Sequence, residues 1–121
     1  MSGEDRTAAL LDRATLERLA SEVGDEFGAI IDTFKAEMRE RIGRMRSDAL
    51  ERAAARLAHE AHAVKGTASA IGFARLAAKA AALELQAQAD DGAGAVALVD
   101  EIAAIFARSV AALDGSGMPR G

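Results

Sequence analysis

The sequence predicts an all-α domain: an antiparallel up-down-up-down four-helix bundle led by a short additional N-terminal helix. Three observations carry this. The one proline among 121 residues, Pro119, lies in the tail after Gly115, so nothing upstream forbids helix. Alanine and leucine dominate a composition that is 50% hydrophobic, with Phe the sole aromatic type, which suits helices packed on helices through small contacts. Apolar residues recur at three- and four-residue steps in successive segments joined by short polar or glycine-bearing connections. Short connections between long amphipathic helices place neighbours antiparallel. The whole chain, 1–121, reads as a single domain, with a core over about residues 8–113 and flexible ends over 1–7 and 114–121.

A short first helix is expected over about Ala14 to Val23, with Leu16, Leu19, Ala20 and Val23 on one face. Gly24-Asp25 breaks it, and Asp25 is placed to cap the next helix. That second helix is long, about Glu26 to Arg46. Phe27, Ile30, Ile31, Phe34, Met38, Ile42 and Met45 form its apolar face, while Lys35, Arg39, Arg41 and Arg44 fall elsewhere. Gly28 and Gly43 inside it each cost about 1 kcal/mol relative to alanine, which suggests close packing there. Ser47-Asp48 reads as a tight connection, and Asp48 with Glu51 as a capping box. The third helix then covers about Ala49 to Ala70, on the stripe Leu50, Ala54, Leu57, Ala61, Val64, Ala68 and Ile71, and Gly72 ends it. A fourth, about Phe73 to Ala89, carries Leu76, Ala80, Leu83 and Ala87. Asp90 to Gly94 is a loop signal. A fifth, about Ala95 to Leu113, presents Val99, Ile102, Phe106, Val110 and Leu113.

Composition narrows the function classes. A net charge of −4 disfavours nucleic acid as a partner. Without cysteine there is neither a disulfide nor a thiolate zinc site. The opening Met1 to Arg6 lacks a basic start followed by an apolar run, and no apolar stretch approaches the ~20 residues of a membrane span. A cytoplasmic domain without membrane contact is the expectation, and a monomer, since a complete bundle closes its own core.

The chemistry concentrates in the third helix, in the run from His62 to Gly72. On a helical wheel centred on the apolar stripe, His62, Lys65, Gly66 and Ser69 share a sector roughly 60° to 160° from the core direction. His59 lies at roughly 180°. A histidine that carries a phosphoryl group must be reachable and neutral, and an ordinary imidazole pKa of ~6.5 satisfies the second need near neutrality. A cation one turn away disfavours imidazolium and attracts phosphoryl oxygens, and Lys65 is so placed. Gly66 leaves a gap beside the ring where helix propensity alone would have chosen alanine. Ser69 and Thr67 keep the neighbourhood small and polar.

As a set, His62, Val64, Lys65, Gly66, the small Thr67-Ala68-Ser69 and Gly72 resemble the motif of the histidine-containing phosphotransfer (HPt) domain family. Leu83-Glu84 stands where that family has a Leu-Glu or Leu-Gln pair on the next helix. Ser69, where many members have glycine or alanine, and Phe73, where many have a smaller residue, are minor departures. The resemblance implies a phosphorelay intermediate that shuttles a phosphoryl group between aspartates of receiver domains, in a hybrid histidine kinase and in response regulators. It implies no ATP site and no autonomous catalysis, with magnesium held by the receiver and no cofactor on this chain. Carried over, His62 is the phosphoacceptor, Lys65 balances charge, Gly66 and Ser69 give access and docking room, and Gly72 breaks the helix. Glu84 orients the second ring nitrogen, with a plain solvated glutamate as its other reading.

Three competing readings exist. His59-Glu60 is similar to the start of a histidine-kinase dimerisation motif, but its helix lacks the proline of that motif and the chain lacks a glycine-rich ATP-binding domain. His59 and His62 at i and i+3 could offer two metal ligands, without the partners that zinc or di-iron helices use. A non-catalytic helical interaction module would leave His62 incidental.

Overall fold

The computed structural model describes residues 9–89 and 94–118, and among these the secondary structure is entirely helical. Helix α1 covers Arg13–Val23, a 3-10 turn Gly24–Glu26, α2 Phe27–Leu50, α3 Ala54–Ile71, α4 Ala74–Ala89 and α5 Ala95–Asp114. Among the four longer helices each packs on two of the others, α2 on α3 and α5 and α4 on α3 and α5, while α1 packs on α2 and α3. The α3–α4 contact is the most extensive. Its buried seam alternates Ala61, Val64 and Ala68 with Leu76, Ala80 and Leu83, so methyl-sized residues let the two backbones come close. Each large side chain removed from water contributes roughly 1.5–3 kcal/mol. At the centre the Phe34 ring meets Phe73 edge-on with centroids 4.9 Å apart and Phe106 at 6.2 Å, joining α2 and α5 to the α3–α4 turn.

Gly72 closes α3 and anchors α1. Its φ of +104° is left-handed, and the N–H of Phe73 reaches back to the Ala68 carbonyl at 2.9 Å while that of Gly72 bonds Ala68 and Ser69. The Gly72 carbonyl in turn accepts the Asp12 N–H at 2.8 Å, and Arg75 N–H donates to Leu10 at 3.2 Å. Asp12 then caps α1, accepting from the Thr15 N–H at 3.2 Å and its hydroxyl at 2.7 Å. These two bonds hold the Asp12 carboxyl below its usual pKa.

Several expected boundaries are corrected. Asp25 is not a cap. Residues 24–26 form a 3-10 turn in which the Phe27 N–H bonds the Gly24 carbonyl, and α2 starts without a side-chain cap. Ser47-Asp48 is not a connection, and the Asp48/Glu51 capping box does not form. α2 continues through both residues to Leu50, and the chain reverses at residues 51–53, with Arg52 at φ +56°. Asp48 is buried inside α2, where its carboxylate accepts from Arg56 Nε at 3.1 Å. A cross-hairpin ion pair therefore replaces a cap. Leu50, expected in the α3 stripe, sits at the end of α2 and is 72% exposed. Close packing does not explain Gly43, because a Cβ there would meet nothing within 4 Å; Gly28 is buried. At the other end α5 extends to Asp114 and Met118 packs on the core, so residues 114–118 are not a free end. Of the expected loop at Asp90 to Gly94, Gly94 precedes α5 with φ +81°, while residues 90–93, the end at 1–7 and Pro119 lie outside the described residues.

The α2–α3 pair is also clamped by Glu60, which accepts from Arg41 at 2.8 Å and Arg44 at 2.9 Å. Burial pushes the Glu60 carboxyl up, but these two guanidiniums outweigh it and hold it below its ordinary pKa.

Gly72→Ala tests the anchor. A Cβ there would stand 3.0 Å from Leu16 Cγ and 3.1 Å from the Asp12 carbonyl, in a backbone conformation that side chains resist. Denaturant unfolding should show a loss of about 1–3 kcal/mol; a change below the error of the measurement would contradict this account of the turn.

Candidate functional site

His62 and Lys65 stand one turn apart on α3, and Glu84 faces them from α4. Burial of Val64 and Leu83 fixes the rotation of both helices, so the neighbouring polar residues emerge at the edge of the seam. His62 Nδ1 lies 3.0 Å from Glu84 Oε2, and Lys65 Nζ lies 3.2 Å from Glu84 Oε1. The imidazole is 65% exposed whereas the carboxylate is 17% exposed, so a largely shielded anion holds two more exposed partners.

The electrostatics follow from that geometry. The Lys65 hydrogen bond is the strongest influence on Glu84 and lowers its carboxyl pKa below 4.5; partial desolvation opposes it, and the His62 bond adds to the lowering. An ionised carboxylate only accepts, so in a neutral His62 ring Nδ1 carries the hydrogen and donates it. Nε2 then keeps its lone pair on the exposed side of the ring. A carboxylate also steadies positive charge that develops in the ring when Nε2 forms a bond, as in carboxylate–histidine pairs elsewhere.

The remaining residues of the motif fall around this triad. Gly66 is exposed on the next turn, and a Cβ added to it would meet nothing within 4 Å, so the space beside the ring is open. Ser69 is exposed further along α3, and its hydroxyl makes no hydrogen bond with the triad. Gly72 lies at the α3–α4 turn and contributes to the fold, not to the triad. His59, one turn before His62, is exposed, lines a groove against α2 and has no hydrogen-bond or ion-pair partner among the described residues.

Sequence reasoning assigned Lys65 and Glu84 separate tasks and missed that one carboxylate serves both. A signal was available: His62 and Glu84 stand equally far along the chain from Phe73, so two helices folding back there bring them level.

With a lowered pKa, the Glu84 carboxylate and its bonds favour the folded state above the ordinary glutamate range, and that contribution is lost as pH falls through the depressed value. Lys65→Ala removes the largest cause, so carbon-detected NMR should show the Glu84 titration midpoint rising toward that of an ordinary glutamate. An unmoved midpoint would mean that the ammonium does not bind this carboxylate.

Among the described residues no cluster of three or more His, Cys, Asp or Glu is arranged to hold a metal ion, and no helix is long and apolar enough to cross a membrane. No curated protein and no solved structure shows significant similarity to the chain. The family model described as Hpt domain matches residues 29–112, which spans α2 to α5 and includes His62, Lys65 and Glu84. Domains of that family are phosphotransfer modules of two-component signalling, and they interact with receiver domains. By a match over more than half of its length, this chain belongs to the Hpt domain family.

Proposed function

We propose that this protein is a phosphorelay intermediate in which His62 carries the phosphoryl group between receiver-domain aspartates. The observation that carries the reading is the Nδ1 contact to Glu84, which leaves Nε2 as an exposed nucleophile. In the forward step the Nε2 lone pair attacks phosphorus of an aspartyl phosphate. The bond from phosphorus to the carboxylate oxygen breaks as the N–P bond forms, and aspartate leaves with the electron pair. The Nδ1 proton stays between ring and Glu84, whose charge offsets the cationic ring. Lys65, one turn from His62, is within reach of the incoming phosphoryl oxygens once it swings from Glu84. Reversal onto a second receiver uses the same groups. Magnesium belongs to the receiver, and this chain needs no cofactor and has no autonomous catalytic activity.

Docking room supports the same assignment. Gly66 leaves the approach to the ring open, and Ser69 extends that low surface along α3. On the α2 side a groove of about 390 Å³ includes Ile30, Thr33 and Thr67, and on the α4 side Leu85, next to Glu84, is 67% exposed. The reading includes an up-down-up-down course for α2 to α5 with α1 added outside it, favoured by the tight α2–α3 and α3–α4 turns. It also includes a cytoplasmic monomer that binds neither nucleic acid nor membrane. His59 is not the acceptor in this account, because no carboxylate among the described residues orients its ring.

The test is phosphate transfer from ATP-charged hybrid kinases with their receivers to wild type, His62→Gln, His59→Gln and Gly66→Gln, scored as acid-labile label. Label should vanish in His62→Gln and persist in His59→Gln. Gly66→Gln should keep the fold, as its side chain meets open space, yet slow transfer about 100-fold by misplacing the receiver. Label that follows His59 would move the protein to the kinase-dimerisation class, and a wild-type rate in Gly66→Gln would refute the access argument.

A further inference from the structure

A separate groove, of about 510 Å³, lies between α4 and α5 and includes no residue of α3 and none of the triad. Arg75 and Lys79 stand one turn apart on its α4 wall, and Arg108 lies on its α5 wall. Its floor is alanine methyls and Ile105. Five of the ten described arginines, Arg13, Arg41, Arg44, Arg46 and Arg56, hold a carboxylate. Arg75 and Arg108 make no side-chain hydrogen bond or ion pair among the described residues, although they line the same groove. Lys79 is bound to Glu101 at 2.8 Å, the one acidic group of the lining.

The geometry points to a docking site for an acidic helical segment of a protein partner, separate from the phosphotransfer face. Unpaired guanidiniums recognise carboxylates by paired hydrogen bonds, and an alanine floor admits a helix backbone closely. The groove runs along about two helical turns of each wall, ~10 Å, which matches a short helix with carboxylates at three- and four-residue spacing. A long polyanion such as nucleic acid fits less well, because the protein carries a net charge of −4 that repels it beyond the groove. A site here leaves His62 free, so a partner bound to it would stay in place while receivers exchange.

The test is NMR titration of the isotope-labelled full chain with a short alanine-based helical peptide bearing a stripe of Glu, with a Gln-for-Glu peptide, a short DNA duplex and inorganic phosphate as controls. The Glu peptide should shift the Arg75, Lys79, Ile105 and Arg108 signals and leave those of His62 and Gly66 in place. Arg75→Gln with Arg108→Gln should weaken binding about ten-fold or more, with an unchanged melting transition. Glu101→Gln, which frees Lys79 and removes the repelling charge, should tighten it. Absence of shifts, equal binding of the Gln peptide, insensitivity to the arginine changes, or tighter binding of DNA or phosphate than of the Glu peptide would each overturn the proposal.

Discussion

The carboxylate of Glu84 accepts from Nδ1 of His62 with one oxygen and from Nζ of Lys65 with the other. The chemistry of the face depends on this double use. The lysine holds one carboxylate oxygen and lowers the pKa of the group further, the ionised carboxylate fixes where the ring proton sits, and the ring proton fixes which nitrogen is free. No single member of the triad supplies that property. A histidine on an isolated helix would turn freely and present either nitrogen.

The fold serves the triad by holding two helices in one register. The α3–α4 seam is built from alanine and medium aliphatic residues, so a half-turn slip would clash or open voids. Gly72 sets the turn in a backbone conformation that other residues resist, and the chain before α1 binds across that turn through Asp12 and Leu10. The α2–α3 hairpin is braced separately, by Glu60 with Arg41 and Arg44 and by Asp48 with Arg56. The polar clamps thus lie on one side of α3 and the triad on the other, which leaves Gly66 and the open space beside it between them.

Much of this was legible in the sequence. The helical class, the stripe of α3, the exposure of His62 and the sector shared by Lys65 and Gly66 follow from three- and four-residue spacing. What escaped was set by long-range partners. Ser47-Asp48 carried the local signature of a helix start, yet Asp48 found Arg56 across the hairpin, and α2 ran on to Leu50. Asp25 looked like a cap, but a 3-10 turn had already used the available donor. The true cap, Asp12, was overlooked because its role becomes plain only when the preceding chain is seen bound to Gly72. In the site, residue types were readable one at a time, whereas the sharing of Glu84 between His62 and Lys65 required the register of two helices.

The most direct test is long-range proton–nitrogen NMR of the His62 ring in the unphosphorylated full chain, recorded where the imidazole is neutral. A protonated Nδ1 with a lone-pair Nε2, changing to a mixture of tautomers in Glu84→Ala, is the predicted result. A wild-type ring protonated at Nε2, or a tautomer indifferent to loss of Glu84, would contradict the claim that this carboxylate selects the phosphoacceptor atom.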